Sequence, residues 1–261
     1  MQPHRQRQMA ESFGTDPERY DRARPRYPEG LVEAVVARCP GREVLDVGCG
    51  TGIVARQFQA AGCRVLGVDV DERLADYARR TGVAVEVASF ESWDPAGRIC
   101  DAVVAGQTWH WVDPIAGAAK AADVLRPGGR LAVFWNVFLP PPHVAQALAD
   151  AHRRAVPNSP FAAGATSGLD GYVLLATMAI DGIRQVGAFT DPVQWRFDWE
   201  QPYTRDEWLE QLSTSGEAGR LPPEKLADLL AATGDALDAL GGTVSMPYAT
   251  MTVTATRYAP S

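Results

Sequence analysis

The stretch Val44-Leu45-Asp46-Val47-Gly48-Cys49-Gly50-Thr51-Gly52 decides the fold. Its first residues predict a strand that runs into a glycine-rich turn, and we expect a helix to begin near Ile53. The glycines remove Cβ atoms where the backbone must turn tightly and a ligand must come close. The next predicted strand, 64–70, carries Asp69 about 20 residues after the first glycine, where a carboxylate can accept hydrogen bonds from both hydroxyls of a ribose. Together the two patterns predict a nucleoside cofactor on a parallel sheet.

Length and composition limit the class of protein. The chain has 261 residues, of which 46% are hydrophobic, and this is enough for one sizeable core. The net charge of -7 argues against a phosphate-binding surface, so we expect no nucleic-acid partner. The apolar stretches have the length of strands, so no membrane span is predicted. The four cysteines have no metal-ligand spacing, which predicts no metal site and favours a cytoplasmic protein with reduced thiols.

Strands and helices alternate from Glu43 onward, which is typical of an α/β layered sheet. We predict strands near 43–47, 64–69, 83–87, 100–105 and 130–137, and helices near 51–61, 71–81, 113–125 and 143–156. Two later segments, 193–199 and 248–256, alternate apolar and polar residues as antiparallel strands do. The sequence therefore predicts seven strands, mostly parallel, with one antiparallel strand near the C-terminus.

Three segments make up the predicted domain organisation. Residues 1–30 are polar and rich in arginine and proline, and residues 31–261 are expected to form a single domain. Within that domain, residues 157–190 lack a clean period and contain many glycines and alanines, so we interpret them as an insertion rather than a sheet element.

The charge around the glycine turn helps to choose between nucleoside cofactors. A dinucleotide site has the pattern G-x-G-x-x-G, because its helix N-terminus receives a pyrophosphate. Here the pattern is G-x-G-x-G, and Ile53 stands where the third glycine of a dinucleotide site would be. Asp46 precedes the first glycine by two residues, where an acid suits an ammonium group better than a pyrophosphate. S-adenosylmethionine (SAM) has both a ribose and an ammonium group.

At this point the sequence resembles the class I SAM-dependent methyltransferases, which have a doubly wound, Rossmann-like sheet. The resemblance covers about residues 40–138 through the glycine stretch, Asp69, Ala88–Glu91 and Leu125–Gly129. Within that superfamily the chain is similar to the small-molecule branch that includes trans-aconitate methyltransferase. Two patches support the branch, Tyr20–Pro28 and the Gly106–Asp113 segment with its Trp-His-Trp sequence.

The resemblance implies roles for cofactor-binding residues. Gly48, Gly50 and Gly52 would let the loop surround the methionine portion, with Cys49 and Val70 as further cofactor-binding residues. Asp46 would orient the amino group of the cofactor, and Asp69 would hold its ribose. Ser89 and Phe90 would meet the edge and face of the adenine, and Gly106 and Gln107 would lie beside the sulfonium. The family commonly has an acid in place of Ser89, whose hydroxyl can still accept a hydrogen bond. Tyr20, Arg24 and Tyr27 would form a lid, in which an arginine can hold the SAM carboxylate or an acidic substrate; the alternative is a surface segment.

Methyl transfer from a sulfonium is an in-line displacement that needs a base only when the acceptor must lose a proton of high pKa. His110 is the candidate catalytic residue, either as general base or as a donor that orients the acceptor. The alternative is that it simply packs between Trp109 and Trp111. These two tryptophans, with Tyr27, are the candidate substrate-binding residues, whereas Trp135, in the middle of a predicted strand, is interpreted as core.

The prediction is a SAM-dependent methyltransferase that acts on a small molecule and releases S-adenosylhomocysteine. The resembled branch and Arg24 with Arg26 suggest a carboxylate acceptor, whereas the tryptophans suggest a natural-product hydroxyl or carbon. An NAD-type oxidoreductase and a catalytically silent methyltransferase-like binding domain are the alternatives. The glycine spacing and Asp46 count against the first, and the intact loop with Asp69 counts against the second. We expect a monomer or a homodimer.

Overall fold

The computed structural model describes residues 15–157, 168–216 and 218–259. Within them, seven strands form one sheet in the order β3-β2-β1-β4-β5-β7-β6. The strands are β1 (Glu43–Val47), β2 (Arg64–Asp69), β3 (Ala84–Val87), β4 (Cys100–Gly106), β5 (Leu125–Phe138), β6 (Val193–Thr204) and β7 (Thr243–Thr256).

Helices connect these strands. In chain order they are α1 (Pro17–Ala23), α2 (Glu29–Val36), α3 (Ile53–Ala60), α4 (Glu72–Arg80), α5 (Pro114–Val124), α6 (Pro142–Ala155), α7 (Gly168–Val186), α8 (Arg205–Ser213) and α9 (Pro223–Ala239). Short 3-10 turns occupy Phe90–Ser92, Trp109–Trp111 and Ala218–Arg220. In the described part of the chain, no helix combines the length and the apolar character that a membrane span needs.

The strand directions confirm the predicted fold class. β1 pairs in parallel with β2 and β4, and β5 continues the parallel set beyond β4. β7 is antiparallel to both of its neighbours, β5 and β6, so it alone of these strands runs the opposite way. β5 begins earlier than predicted, at Leu125, and the β4–β5 register is irregular between Cys100 and Ala102.

Both faces of the sheet are covered, which makes it doubly wound. Side chains alternate across a strand, so the fully buried neighbours Val103 and Val104 of β4 enter different cores. Val103 belongs to the core that includes residues of α5 and α7, and Val104 to the core that includes Leu31 of α2 and Phe58 of α3. Strands buried on both faces need continuous apolar sequence, which explains the run at 102–105.

A third apolar cluster lies beyond the parallel part of the sheet. It joins Val144 of α6, Trp208 of α8 and Leu237 of α9 to Met246 and Tyr248 of β7. The two C-terminal strands and these helices therefore share a core of their own, which extends the domain past β5.

Helix α7 occupies most of the segment that we interpreted as an insertion. Its residues Ala176, Ala179 and Ile183 are buried in the core beside α5. Gly182 makes this contact possible, because a Cβ there would lie 2.4 Å from the carbonyl oxygen of Pro114. This part of the segment is thus a core helix rather than a surface loop, and residues 158–167 lie outside the described residues.

Candidate active site

A cavity of about 360 Å³ opens at the carboxyl ends of the parallel strands β1, β2 and β4. Ligands of open α/β sheets bind at this end, and the volume falls within the usual range for small-molecule sites, roughly 300–1,000 Å³. Except for Asp46 and Trp109, every residue that we singled out as cofactor-binding, substrate-binding or catalytic lines it: Tyr20, Arg24, Tyr27, Gly48, Cys49, Gly50, Asp69, Val70, Ser89, Phe90, Gln107, His110 and Trp111.

The glycine loop between β1 and α3 forms one wall of the cavity. Gly48 has φ of 63°, and a Cβ there would lie 2.0 Å from Cγ2 of Thr108, so this position excludes any side chain. At Gly50, whose φ is 54°, a Cβ would meet nothing within 4 Å. The missing side chain of Gly50 therefore leaves open space on the cavity wall, where a ligand can approach the backbone.

Asp69 ends β2 and faces this loop. Its two carboxylate oxygens accept hydrogen bonds from the backbone amides of Gly50, at 2.7 Å, and Asp71, at 2.9 Å. Burial raises the pKa of Asp69, and these amides oppose that rise. Because a carboxylate can accept about four hydrogen bonds, the group retains acceptor sites for a pair of ribose hydroxyls.

Asp46 lies behind the loop and is not part of the cavity wall. Its side chain is buried, and among the described residues neither oxygen has a hydrogen-bond partner in normal geometry, although the backbone amide of Ala55 is close enough to oppose the rise in its pKa. Burial raises the pKa of Asp46 well above its usual value, and the charge of Asp69 raises it further. An unpartnered buried carboxyl favours a nearby cation, so the site fits a ligand with an ammonium group.

On the predicted adenine side, Ser89 and Phe90 line the cavity at the end of β3. The Ser89 hydroxyl donates to Oε2 of Glu91 at 3.2 Å, and Oε1 of Glu91 accepts from the backbone amide of Asp113 at 3.2 Å. Glu91 also lines the cavity. An acidic side chain therefore lies on the cavity wall two residues after position 89, where the family commonly has its acid, and the sequence analysis did not single it out.

The N-terminal segment closes the cavity on another side. Tyr27 is buried and packs edge-on against Phe134, with ring centroids 4.8 Å apart. Gly106 permits this position, because a Cβ there would lie 2.7 Å from the Tyr27 hydroxyl. The Arg24 guanidinium lies 4.8 Å from the ring centroid of Tyr20 and donates to the carbonyl oxygen of Thr214. All of the predicted lid residues therefore reach the cavity.

The Trp-His-Trp sequence forms a 3-10 turn whose side chains point in different directions, since such a helix has three residues per turn. Trp111 lines the cavity, with its ring 4.5 Å from that of His110. Trp109 instead points into the core, where it is 2% exposed and its ring lies 6.3 Å from that of Phe90. The structure thus places Trp109 in the core rather than in the substrate-binding position that we expected.

His110 lines the cavity and contacts β5. Its Nδ1 accepts a hydrogen bond from Nε1 of Trp135 at 3.2 Å. Burial lowers the pKa of His110 to about 4, so the imidazole is neutral at pH 7. Trp135 itself is 1% exposed, which confirms the interpretation as a core residue.

Asn136 and Tyr172 also line the cavity and were not predicted. Asn136 donates from Nδ2 to the Arg26 carbonyl at 3.1 Å and accepts at Oδ1 from the Thr250 hydroxyl at 2.7 Å. It therefore ties the N-terminal segment to the sheet. Tyr172 comes from α7, and no motif in the sequence marks it. Across the described ranges, no group of histidine, cysteine and acidic side chains is arranged to hold a metal ion.

Comparisons with known proteins agree with this geometry. Residues 45–133 match the family described as a methyltransferase domain. An uncharacterized methyltransferase of Mycobacterium tuberculosis is 36% identical over 138 residues, which cover 50% of this chain and 54% of that protein. A malonyl-[acyl-carrier protein] O-methyltransferase of Enterobacter lignolyticus is 29% identical over 201 residues, covering 69% of this chain and 75% of the relative.

A solved structure from Anaeromyxobacter dehalogenans, described as that of a proposed type II methyltransferase, has the same fold. It superimposes with a TM-score of 0.64 at 22% identity and covers 91% of this chain and 99% of its own. This chain spans about half the length of the mycobacterial relative. The glycine loop, the acid that ends β2 and the strand order agree with these matches: residues 45–133 match the methyltransferase domain family, and the chain shares the fold of the Anaeromyxobacter structure.

Proposed function

We propose that the protein transfers a methyl group from SAM to a small-molecule acceptor by in-line displacement. The observation that carries the proposal is the pair of acids around the glycine loop, Asp69 on the cavity wall and the unpartnered Asp46 behind it. A ligand with a ribose and an ammonium group satisfies both. Gly50, whose amide donates to Asp69, leaves the cavity wall beside that carboxylate without a side chain.

The bound cofactor supplies an already activated methyl group. The protein therefore has to hold the cofactor and the acceptor in line with each other. Asp69 and the loop amides fix the nucleoside, while Ser89, Phe90 and Glu91 hold its base. The N-terminal segment with Tyr20, Arg24 and Tyr27 excludes water from the opposite side. Holding two reactants in line at about 3–3.5 Å can supply roughly 7–11 kcal/mol of the barrier.

The side chains that line the cavity suit two kinds of acceptor. Arg24 supports a carboxylate, since a guanidinium binds carboxylates with two parallel hydrogen bonds. Arg26 gives no such support, because its guanidinium pairs with Asp21 at 3.3 Å and it does not line the cavity. Trp111 and Phe90 support a planar or apolar acceptor with a hydroxyl or carbon nucleophile. The name of the Enterobacter relative, a malonyl-[acyl-carrier protein] O-methyltransferase, adds weight to the carboxylate.

Calorimetry tests whether the protein binds a SAM-type cofactor, which is the methyl donor in this proposal. We expect S-adenosylhomocysteine to bind in preference to NADH, because the loop lacks the third glycine of a dinucleotide site and has Asp46 behind it. Preferred binding of NADH would replace the proposal with the oxidoreductase alternative.

A methyl-transfer screen tests whether the protein methylates a small-molecule acceptor, and of which class. Methyl-labelled SAM is incubated with a pool of small carboxylic acids and a pool of phenols, and label in each pool is measured. Transfer to either pool supports the proposal and selects the acceptor class. Tight cofactor binding with no transfer to either pool would favour the catalytically silent binding domain.

Partners and location complete the proposal. The net charge of -7 supports a protein with no nucleic-acid partner, and the four free cysteines support a reducing, cytoplasmic environment. We propose a monomer or homodimer in which residues 15–30 of the N-terminal 1–30 segment act as the lid; residues 1–14 lie outside the described residues. Sedimentation and gel filtration measure the oligomeric state directly.

A further inference from the structure

We infer that Trp135 fixes the tautomer of His110, so that His110 faces the acceptor as a neutral Nε2–H donor and not as a general base. The inference rests on the proposed function, which supplies the acceptor, and on the contacts of three groups. These are the buried indole of Trp135, the imidazole of His110 and the apolar side chains packed around it.

The Trp135 indole is the first of these groups. It is 1% exposed, and its Nε1–H donates to Nδ1 of His110 at 3.2 Å. An indole nitrogen can only donate, and a buried donor is costly to leave without an acceptor. Nδ1 must therefore carry the lone pair, which leaves the proton of a neutral imidazole on Nε2.

The second ring nitrogen is in a different position. The described residues offer no hydrogen-bond partner to Nε2 of His110, and this atom is not among the buried polar atoms that lack a partner. Nε2 is therefore accessible, and because His110 lines the cavity, the inference places Nε2–H there, available to a bound molecule. A carboxylate, phenolate or carbonyl oxygen could accept that hydrogen bond, and the bond would orient the acceptor.

The surroundings of His110 resist its protonation. A second small pocket behind the ring is lined by Pro114 of α5 and by Leu175, Met178 and Ala179 of α7. Protonating Nδ1 would place two donors face to face and bury a charge among these apolar groups, and burial alone lowers the pKa of His110 to about 4. The charged or titratable side chains on the shared cavity wall, among the described residues, are Tyr20, Arg24, Tyr27, Cys49, Asp69, Glu91 and Tyr172. None of these side chains contributes to the lowered pKa of His110.

A base would need the opposite arrangement. It would need a free lone pair directed at the acceptor and a pKa near the working pH. Here the lone pair of His110 is taken by Trp135, and the nitrogen that reaches the cavity already holds the proton. An acceptor that is not already a nucleophile must therefore lose its proton to a group other than His110, either solvent or an acid on the cavity wall such as Glu91.

Nitrogen-15 NMR of the histidines tests the tautomer without requiring turnover. The full chain is saturated with S-adenosylhomocysteine, and the His110 signals are assigned by their loss in His110→Gln. We expect the Nε2–H tautomer in the wild type, a mixture of tautomers in Trp135→Phe, and no change in Trp93→Phe. Trp93 is a matched control because its buried indole donates to Glu86 at 2.6 Å outside the cavity wall. A wild-type Nδ1–H tautomer, or a Trp135→Phe spectrum identical to the wild type, overturns the inference.

Rates of methyl transfer to the carboxylic-acid and phenol pools test the role of the donor. The glutamine amide can donate a hydrogen bond from near the position of Nε2 but cannot act as a base. We expect His110→Gln to stay within about tenfold of the wild type and His110→Ala to fall at least about tenfold further. Equal losses of roughly 10²–10⁴-fold in both variants would indicate a general base and overturn the inference. If the wild type itself transfers no methyl group, the proposed function fails, and the NMR result still decides the tautomer.

Discussion

Asp46 is a carboxyl group that the fold buries without giving either oxygen a hydrogen-bond partner in normal geometry among the described residues. Such a group is destabilising when charged, so it holds its proton to a higher pH than an exposed aspartate. A bound ammonium reverses the preference, because the opposite charge favours the carboxylate. The same residue thus costs stability in the free protein and gains binding energy in the complex.

This linkage predicts that the affinity for S-adenosylhomocysteine rises with pH. Below the pKa of an α-amino group, which is about 8, the ligand keeps its charge, and any proton that the raised pKa of Asp46 retains in the free protein must leave when the ammonium binds. We expect proton release on binding, measured by calorimetry in buffers of different ionisation enthalpy. Asp46→Asn should abolish the release and flatten the pH dependence. Equal release by the two proteins would show that another group titrates.

Asp69 has two tasks, since its carboxylate holds the glycine loop as well as facing the cavity. We expect Asp69→Ala to weaken binding of S-adenosylhomocysteine by about 1–3 kcal/mol, through lost hydrogen bonds to the ribose and a less ordered loop. Calorimetry measures this directly. Asp76→Ala is the matched control, because Asp76 lies exposed on α4 and pairs with Arg79. An Asp69→Ala affinity equal to that of the control would remove Asp69 from the cofactor site.

At the scale of elements, α1 is attached to the cofactor loop by a partly buried ion pair. Asp21 is 8% exposed, and its Oδ1 accepts from Nη2 of Arg56 on α3 at 2.5 Å. Arg56 also donates from Nη1 to the carbonyl of Thr51 in the loop, at 2.7 Å. Burial alone would raise the pKa of Asp21, but the hydrogen bond from Arg56 helps to lower it, so the carboxylate is charged. The lid and the glycine loop therefore share one guanidinium.

Breaking this pair should release α1 from the loop. We expect Asp21→Asn to speed amide hydrogen exchange in residues 17–23 and to weaken binding of S-adenosylhomocysteine by about 1–3 kcal/mol. Glu210→Gln is the control, because it breaks the pair between α8 and Arg22, whose side chain is 59% exposed. Surface pairs contribute about 0–1 kcal/mol, so the control should change exchange and affinity far less. Equal effects would show that α1 is held by its general packing.

The elements that sequence predicted well are those that local chemistry determines. β1, the glycine loop and α3 follow from an apolar run, three glycines and an amphipathic helix in direct succession. Helix α7 was missed because apolar residues also lie on its exposed face, where Val173 and Leu174 are 59% and 60% exposed, and they hide the helical period of its buried residues. Glu91 and Tyr172 line the cavity because the folded chain brings their elements together there. No local sequence motif marks either residue.

The Trp-His-Trp turn shows the same limit within three residues. Its proximity to the cavity was predictable, because it follows β4 at the carboxyl edge of the sheet. Which side chain faces the cavity depends on the direction of a 3-10 turn, and this placed Trp109 in the core. The partner of His110 comes from β5, about 25 residues later, and pairing between strands brings it there.

At the scale of the whole molecule, the cavity is built from parts distant in sequence: the N-terminal segment, the carboxyl ends of the parallel strands and α7. Titratable groups on the cavity wall and behind it have pKa values shifted from their usual range, in opposite directions. Asp46 and Asp69 have raised pKa values, so the folded protein binds their protons more tightly and they favour the fold as pH falls. His110 has a lowered pKa, so the unfolded chain binds its proton more tightly.

His110 should therefore destabilise the fold in acid. Above the unfolded pKa of about 6.5 the imidazole is neutral in both states and contributes nothing. As pH falls from about 6.5 towards 4, His110 takes up a proton in the unfolded chain but stays neutral in the folded protein. The free energy of unfolding should therefore drop by about 3 kcal/mol. Urea unfolding at pH 7 and pH 4.5 of the wild type and His110→Gln isolates this contribution, because the acids affect both proteins alike. The variant should lose less stability than the wild type between the two pH values. If both lose the same amount, His110 is charged in the folded protein, and its burial among Trp135 and the α7 side chains does not keep it neutral.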